Sequence, residues 1–588
     1  MERLVVEAAA VEVRRPRIRF WQPPERVIHM SVLISAMLLL AAVARTVAPD
    51  ILSMLHRVAA RSWRRIANRW AQADLVKHYS AGNWLLFTLL LVINAINLTV
   101  LLPVFIIFIR RRCRNVSNWL LARRARASGF AEGSNVALNE AGPAIAAVVP
   151  CYLPNEQSII EETVNHILEH LLSPDKLELW LVYNTPEDLP EIEGRLRAMQ
   201  SRADLPPGRS LQVIRVQDSK SKAENLNAVL SQISTPYVAI YDADHHPDPT
   251  SLMLLHEKLQ RGDLDCAQGS TYIRNLSCGW AGILGRLIDA EFFVMHFMLF
   301  PAMKLYTRQA IFGGSNALWK RDVLLSHTFN HCMQTEDIDV SVRALLDRCR
   351  IDFCPESRSG ELAPVSLSAL YKQRLRWAIG WDQVSLKYLR DVVSARGLPC
   401  YHRFGLIHVL YLRWLMLLSG VIVGFFIPLC DVLPFEAKKR EILIVLQMSL
   451  LFDYVAIVAC CAAEALCQVH HRGRQSQVQV FFVLGYLLLS SPCAALQTIL
   501  VTVSMWRIAT GKVGGWVVTA RPTTSQLSAA SSPSRCRRLL RLLRFSSGSA
   551  RQVAPPEHEK VPSKLHPVQL AEEDGCLVAE QGCALEGS

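Results

Sequence analysis

The sequence predicts an α/β domain of the doubly wound kind, set between apolar runs of membrane length. Two observations predict it. From Ala141 to about Asp391, short β-like runs alternate with amphipathic helical stretches, the pattern of a sheet covered by helices on both faces. On either side, the chain holds apolar stretches of the roughly 20 residues that a helix needs to cross a bilayer.

Taken in order, residues 1–26 form a polar, Arg-bearing segment expected in the cytosol. The apolar run behind it lacks a convincing small-residue cleavage site and reads as an anchor, not as a removed signal peptide. Val27 to Val47 and Trp84 to Ile109 are expected to be two transmembrane helices, so residues 27–109 form one membrane unit. The second span ends on Arg110-Arg111-Arg112-Cys113-Arg114, followed by Arg123, Arg124 and Arg126, which places this side in the cytosol. Between the spans lie Arg57, Arg61, Arg64, Arg65 and Arg69, which the same topology puts on the far side unless that segment lies in the interface as an amphipathic helix.

Residues 141–391 are then the cytosolic domain. Ala144 to Val149, Leu177 to Tyr183, Leu211 to Val216 and Tyr237 to Tyr241 read as strands, with helices over Ser158 to Leu172, Glu187 to Gln200 and Lys222 to Gln232 between them. Cys278 to Leu305 is apolar but carries Arg286, Asp289, Glu291 and His296, which suits a helix lying on a membrane face better than a span. Residues 405–506 hold three or four membrane segments: Ile407 to Leu429, Ile442 to Cys461 and the unusually long Val478 to Met505. Residues 507–588 form a basic cytosolic tail, and its Ser-, Pro- and charge-rich part from 522 is expected to be largely disordered, with Arg537 to Phe545 spacing Arg against Leu.

Composition narrows the classes. A hydrophobic content of 51% fits a membrane protein with a soluble insert, and the net charge of +13 gathers beside apolar runs and in the tail, where lipid headgroups explain it. No zinc-finger spacing or RNA-binding aromatic signature accompanies it, so nucleic acid is not an expected partner. Sixteen cysteines without a CxxC pair read as reduced thiols.

Three clusters carry chemistry. Asp242-Ala243-Asp244 follows a strand, where α/β sheets bind ligands, and two carboxylates two residues apart in extended chain point to one side and can share Mg²⁺ or Mn²⁺. Turn chemistry competes with that reading, since Pro247-Asp248-Pro249 follows, and His245 and His246 read as solvated loop residues. In Thr335-Glu336-Asp337, Thr335 is an expected N-cap, with Ile338, Val342, Leu345 and Leu346 forming the apolar face behind it. Asp337 is a candidate general base, although first-turn acids also suit a helix dipole. Gln373, Arg376 and Trp377 fall at i, i+3 and i+4, one face of a helix, so a cation can meet a diphosphate beside an indole that supports a sugar ring. An interface anchor is the plainer reading of that Trp and Arg.

In this order, from about Pro150 to Trp381 and with the flanking spans, the clusters resemble the membrane-integrated family 2 glycosyltransferases, the inverting group of cellulose, chitin, curdlan and hyaluronan synthases and ceramide glucosyltransferase. The resemblance implies a GT-A type nucleotide-sugar-binding domain in which Asp242 and Asp244 hold metal and diphosphate and Asp337 is the catalytic base. It also implies that Arg376 meets the pyrophosphate, while Gln373, Trp377 and Glu336 line the acceptor side. Ser221-Lys222-Ala223-Glu224-Asn225-Leu226-Asn227 resembles the KAxxLN segment near the nucleotide, which brings in Lys222. Gly313-Gly314-Ser315-Asn316 resembles the loop that meets the acceptor, and Trp516 and Thr519 a segment that covers the substrate. Many relatives carry an Asp against the uracil where this chain has Asn184, a neutral candidate for the base edge, so UDP is a default donor nucleotide.

The implied function is transfer of a sugar to a growing glycan, followed by passage through the chain's own helices past Arg413, Asp453 and Glu464. Single transfer to a lipid acceptor is the alternative, and an inactive membrane scaffold a remote one. The membrane is plasma or Golgi.

Overall fold

In the computed structural model, the described residues are 101–114, 142–276, 279–395, 397–415, 455–465 and 476–513, with scattered helical positions between 88 and 98 and at 417, 449 and 452. The first expected span, Asp453, Trp516, Thr519 and the tail from residue 514 lie outside them.

Eight strands form one sheet in the order β3-β2-β1-β4-β7-β6-β8-β5. Its first half follows the expected grammar. β1 (Ile145–Tyr152) and β2 (Leu177–Asn184) pair in parallel from Ile145↔Leu177 onward, with β3 (Arg209–Arg215) beyond β2 and β4 (Tyr237–Ile240) on the other side of β1. Alternate residues of β1 face opposite layers. Ile145, Ala147 and Val149 pack with α1 (Ile160–His170), α2 (Pro190–Gln200) and a later helix, Ser251–Gly262. Ala146 and Val148 pack with α3 (Lys222–Leu230) and a helix at Glu336–Leu346. Because the chain runs β1, β2, β3 outward and returns to β4 on the opposite flank, a crevice opens at the carboxyl ends of β1 and β4.

The second half corrects the doubly wound expectation. β5 is the two-residue His246–Pro247, β6 is Cys266–Ile273, β7 is Ala317–Lys320 and β8 is Ile351–Glu361. β7 runs antiparallel between β4 and β6, and β5 antiparallel to β8, so the sheet is mixed. Pro247, expected in a turn, closes a bridge to Ser359 before the turn that Ser251 makes back to the Asp248 carbonyl.

Four further helices matter for the site. α4 (Ser251–Gly262) completes one layer, and α5 (Gly279–Val294) continues through a π-helical turn, Met295–Leu299, into Phe300–Thr307. α6 is Glu336–Leu346 and α7 is Leu367–Lys387. The polar residues of α5 turn toward the domain: Asp289 accepts from the Ile273 amide at 3.0 Å and Glu291 from Arg374 of α7 at 2.7 Å. The long run Val478 to Met505 is two helices, α8 (Ser476–Leu488) and α9 (Ser490–Ala509). α8 packs on α5, and Leu500 of α9 on Leu375 and Ile379 of α7. No helix among the described residues is long and apolar enough to cross a membrane.

Of the polar residues expected along a glycan path, Arg413 pairs with buried Asp382 of α7 and stacks between Trp381 and Trp414. Glu464 is buried against Arg111 and Arg112 of helix 101–114.

Candidate active site

The crevice gathers residues from four loops around one ammonium group. Lys222 stands at the first position of α3, whose start is fixed by a capping box: Ser221 Oγ accepts from the Glu224 amide and Glu224 from the Lys220 amide. From there Nζ reaches Asp242 Oδ1 at 2.5 Å, the Gly314 carbonyl at 2.8 Å and Glu336 Oε1 at 3.5 Å. Burial alone would lower its pKa, but Asp242 and Glu336 outweigh that and raise it, so the group stays charged.

Asp242 and Asp244 meet through a turn, not an extended run: the His245 amide donates to the Asp242 carbonyl at 2.9 Å. The Asp242 amide donates to Ser315 Oγ at 3.0 Å, and Asp244 Oδ2 accepts from the Leu362 amide at 3.2 Å. Ligand atoms of Asp242, Asp244 and His245 lie within 4.8 Å of one another. Carboxylate oxygens at this spacing fit a hard cation, Mg²⁺ or Mn²⁺.

His245 is not the solvated residue expected. It is buried, with Nδ1 3.0 Å from Ser359 Oγ and Nε2 3.3 Å from Glu361 Oε2. Burial opposes its protonation, yet Glu361 and Asp244 raise its pKa overall. Both of its ring nitrogens already face protein partners, Ser359 Oγ and Glu361 Oε2, which leaves the two carboxylates as the fitting donors. His246 is also withdrawn from solvent, its ring stacked on His166 with centroids 4.4 Å apart.

Asp337 opens α6 with its Oδ1 accepting from the Ile338 amide at 2.9 Å. Its other oxygen lies against Gly314, where a Cβ would stand 2.8 Å from Asp337 Oδ2 and φ is +91°. Only glycine suits that position. Burial, then the neighbouring Glu336 charge, raise the Asp337 pKa to about 7, against the opposing pull of Lys222 and Arg376. Such a carboxyl is poised as a base near neutral pH.

Thr335 does not cap α6. Its side chain makes no cap hydrogen bond and lies buried against Gly380 of α7. The expected apolar face does form, with Ile338, Val342 and Leu345 buried and Leu346 packed beside them.

α7 brings the third cluster. Arg376 Nη1 donates to the Gln334 carbonyl at 3.4 Å, just before Thr335, and Gln383 Oε1 accepts from the Gln334 amide at 3.1 Å. Gln373 is buried. Trp377 is partly buried against Ile273, Leu284 and Ile288, with the Arg374 guanidinium 4.5 Å over its ring. Asn184 ends β2 with its amide engaged on both sides, donating to the Ser219 carbonyl at 2.9 Å and accepting from Asn225 at 2.8 Å.

Asp339 escaped the sequence reading. Two residues past Asp337 on a helix, it faces away from the crevice, fully buried, and accepts from Arg343 at 2.8 Å, Lys387 at 3.2 Å and Tyr388 at 2.8 Å. The Asp-x-Asp spacing within a helical pattern was the available signal. Glu361 carried none, because its approach to His245 depends on the long-range pairing of β8.

Residues 143–380 match the model of the glycosyltransferase-like family 2, so this stretch of the chain is a glycosyltransferase domain on an α/β fold. Among curated relatives, a poly-beta-1,6-N-acetyl-D-glucosamine synthase of Staphylococcus aureus is 26% identical over 259 residues, 44% of this chain and 59% of the relative. The Staphylococcus epidermidis protein of that name is 25% identical over the same length. The match thus spans less than two thirds of these relatives. Solved structures with similarity include the mannosyltransferase PcManGT of Pyrobaculum calidifontis in complex with GDP-Man and Mn²⁺, 17% identical, TM-score 0.38, covering 69% of this chain and 99% of that one. Residues 1–349 of Staphylococcus aureus TarS in complex with UDP-GlcNAc are 13% identical, TM-score 0.32, covering 59% of this chain and 91% of that one.

Proposed function

We propose that this protein transfers a sugar from a nucleotide-sugar donor to a growing polysaccharide at a membrane, inverting the anomeric carbon and repeating the transfer as the product leaves through its helices. The observation that carries the reading is the convergence of Lys222, Asp242, Glu336 and Asp337 in one crevice, with Arg376 and Gln373 on the helix packed beside them. Asp242 and Asp244 would hold a divalent cation, which would supply neutralisation of the diphosphate leaving group.

The chain's own residues do the rest. Lys222 and Arg376 offer positive charge to the departing diphosphate. Asp337 accepts the proton of the acceptor hydroxyl as that oxygen bonds to the anomeric carbon and the bond to the diphosphate breaks. Glu336, Gln373 and Trp377 are assigned to the acceptor, and Asn184 to the edge of the base through its remaining N–H. UDP-N-acetylglucosamine is the donor to test first, since the curated relatives are named for that sugar's polymer. In this reading residues 141–391 are cytosolic in a multi-pass protein of the plasma membrane or Golgi.

The test gives the purified full chain in detergent, with Mn²⁺, radiolabelled UDP-N-acetylglucosamine, UDP-glucose or GDP-mannose, and sizes the product. High-molecular-weight glycan from one donor is expected. A single labelled sugar extracted into organic solvent would replace polymerisation by lipid glycosylation, and no transfer from any donor would sink the reading.

A further inference from the structure

The Lys222 ammonium occupies an unusual place for a group that is to meet a diphosphate. Its shortest contact, 2.5 Å, is to Asp242 Oδ1, an oxygen of the carboxylate pair that fits the divalent cation. The Lys222 backbone is fixed: its helix start is capped by Ser221 and Glu224, and Asn227, five residues further along, is bonded in both directions to the Phe329 backbone. Nζ can nevertheless pivot, because it has other partners in reach, Glu336 Oε1 at 3.5 Å and the Gly314 carbonyl at 2.8 Å.

Resting on the functional reading above, we propose that Lys222 is a built-in competitor for the cation seat, which makes metal binding conditional on the nucleotide. A divalent cation arriving alone must take Asp242 from an ammonium already paired to it, and leave that ammonium with Glu336, the Gly314 carbonyl and the charge of Asp337 but without its shortest ion pair. A cation arriving with a diphosphate gives Lys222 a replacement anion as it releases Asp242. The two ligands therefore bind with positive coupling that originates in one side chain, and by reciprocity the metal strengthens the nucleotide to the same degree. No bond is made or broken in this exchange, only ion pairs.

The readout is Mn²⁺ affinity of the full chain in detergent, followed by the electron-paramagnetic-resonance signal of free Mn²⁺, without nucleotide and with saturating UDP. Lys222→Met is the variant of choice because a thioether is a poor ligand for a hard cation, and Lys222→Ala, checked for a wild-type thermal transition, repeats the test should the first misfold. Nucleotide-free Mn²⁺ should bind about tenfold tighter in Lys222→Met than in wild type, since one partly buried ion pair no longer opposes it. UDP should tighten Mn²⁺ less in the variant than in wild type. Unchanged or weaker nucleotide-free binding in a folded variant, with Asp242→Asn weakening Mn²⁺ as expected, overturns the competition while leaving the cation seat intact. If Asp242→Asn leaves Mn²⁺ binding untouched, the seat itself is wrong and both readings fall.

Discussion

At the scale of single residues, Asp337 and Asp339 divide two tasks between two faces of one helix. Asp337 is raised to about 7 by burial and by Glu336, so in the free enzyme it gains its proton as the pH falls through neutrality. A base must be unprotonated, so kcat/KM should fall tenfold per pH unit below about 7 and level off above it. A pH–rate profile with its acid limb near the ordinary carboxylate range would contradict this. Asp339 instead anchors Arg343, Lys387 and Tyr388 from full burial. Replacing it by Ala leaves two cations short of their partner and should cost about 3 kcal/mol, read from denaturant unfolding. The sequence marked Asp337 as a candidate base through its place in an ordered set of motifs. It hid the burial of His245 and the failed cap at Thr335, because both are set by segments that come from far along the chain, Ser359–Glu361 and Gly380.

At the scale of elements, α7 is the part that aligns the site. Its middle turn presses on Thr335 through Gly380, where a Cβ would stand 2.7 Å from the Thr335 amide nitrogen and closer still to the side chain. Gly380→Val should therefore push α7 away from Glu336 and Asp337, at a cost of about 1–3 kcal/mol and with a larger loss of activity than of stability. Gly194 in α2 is the control, since nothing lies within 4 Å of the position its Cβ would take. Gly194→Ala should raise stability by about 0.5–1 kcal/mol and leave transfer unchanged, as thermal unfolding and initial rates would report. The parallel half of the sheet was legible because β1, β2 and β4 are nearly continuous apolar runs buried on both faces. β8, with the sequence IDFCPESRSGE and a register shift opposite Gly269 and Ser270, offers no such run and is held as a strand by its neighbours.

At the scale of the whole molecule, the crevice is braced by elements from both flanks of the domain. Arg374 ties α7 to Glu291 of α5, α5 packs on α8, and Glu464 joins helix 455–465 to Arg111 and Arg112. Glu464→Ala should lower stability by about 3 kcal/mol in detergent, because two guanidinium groups lose a buried partner, and Arg111→Ala added to it should cost little more. The sequence showed these flanks as apolar runs, but a hydropathy pattern says nothing of which runs touch, and the division of the last run at Leu489 was not visible in it. In the proposed function, these flanks support a site whose base is Asp337. The most direct test is the rate of sugar transfer by the full chain carrying Asp337→Asn, measured beside its binding of UDP and Mn²⁺. The account predicts binding within a fewfold of wild type and a rate reduced by about 10²–10⁴, whereas a variant that transfers sugar at the wild-type rate would contradict it.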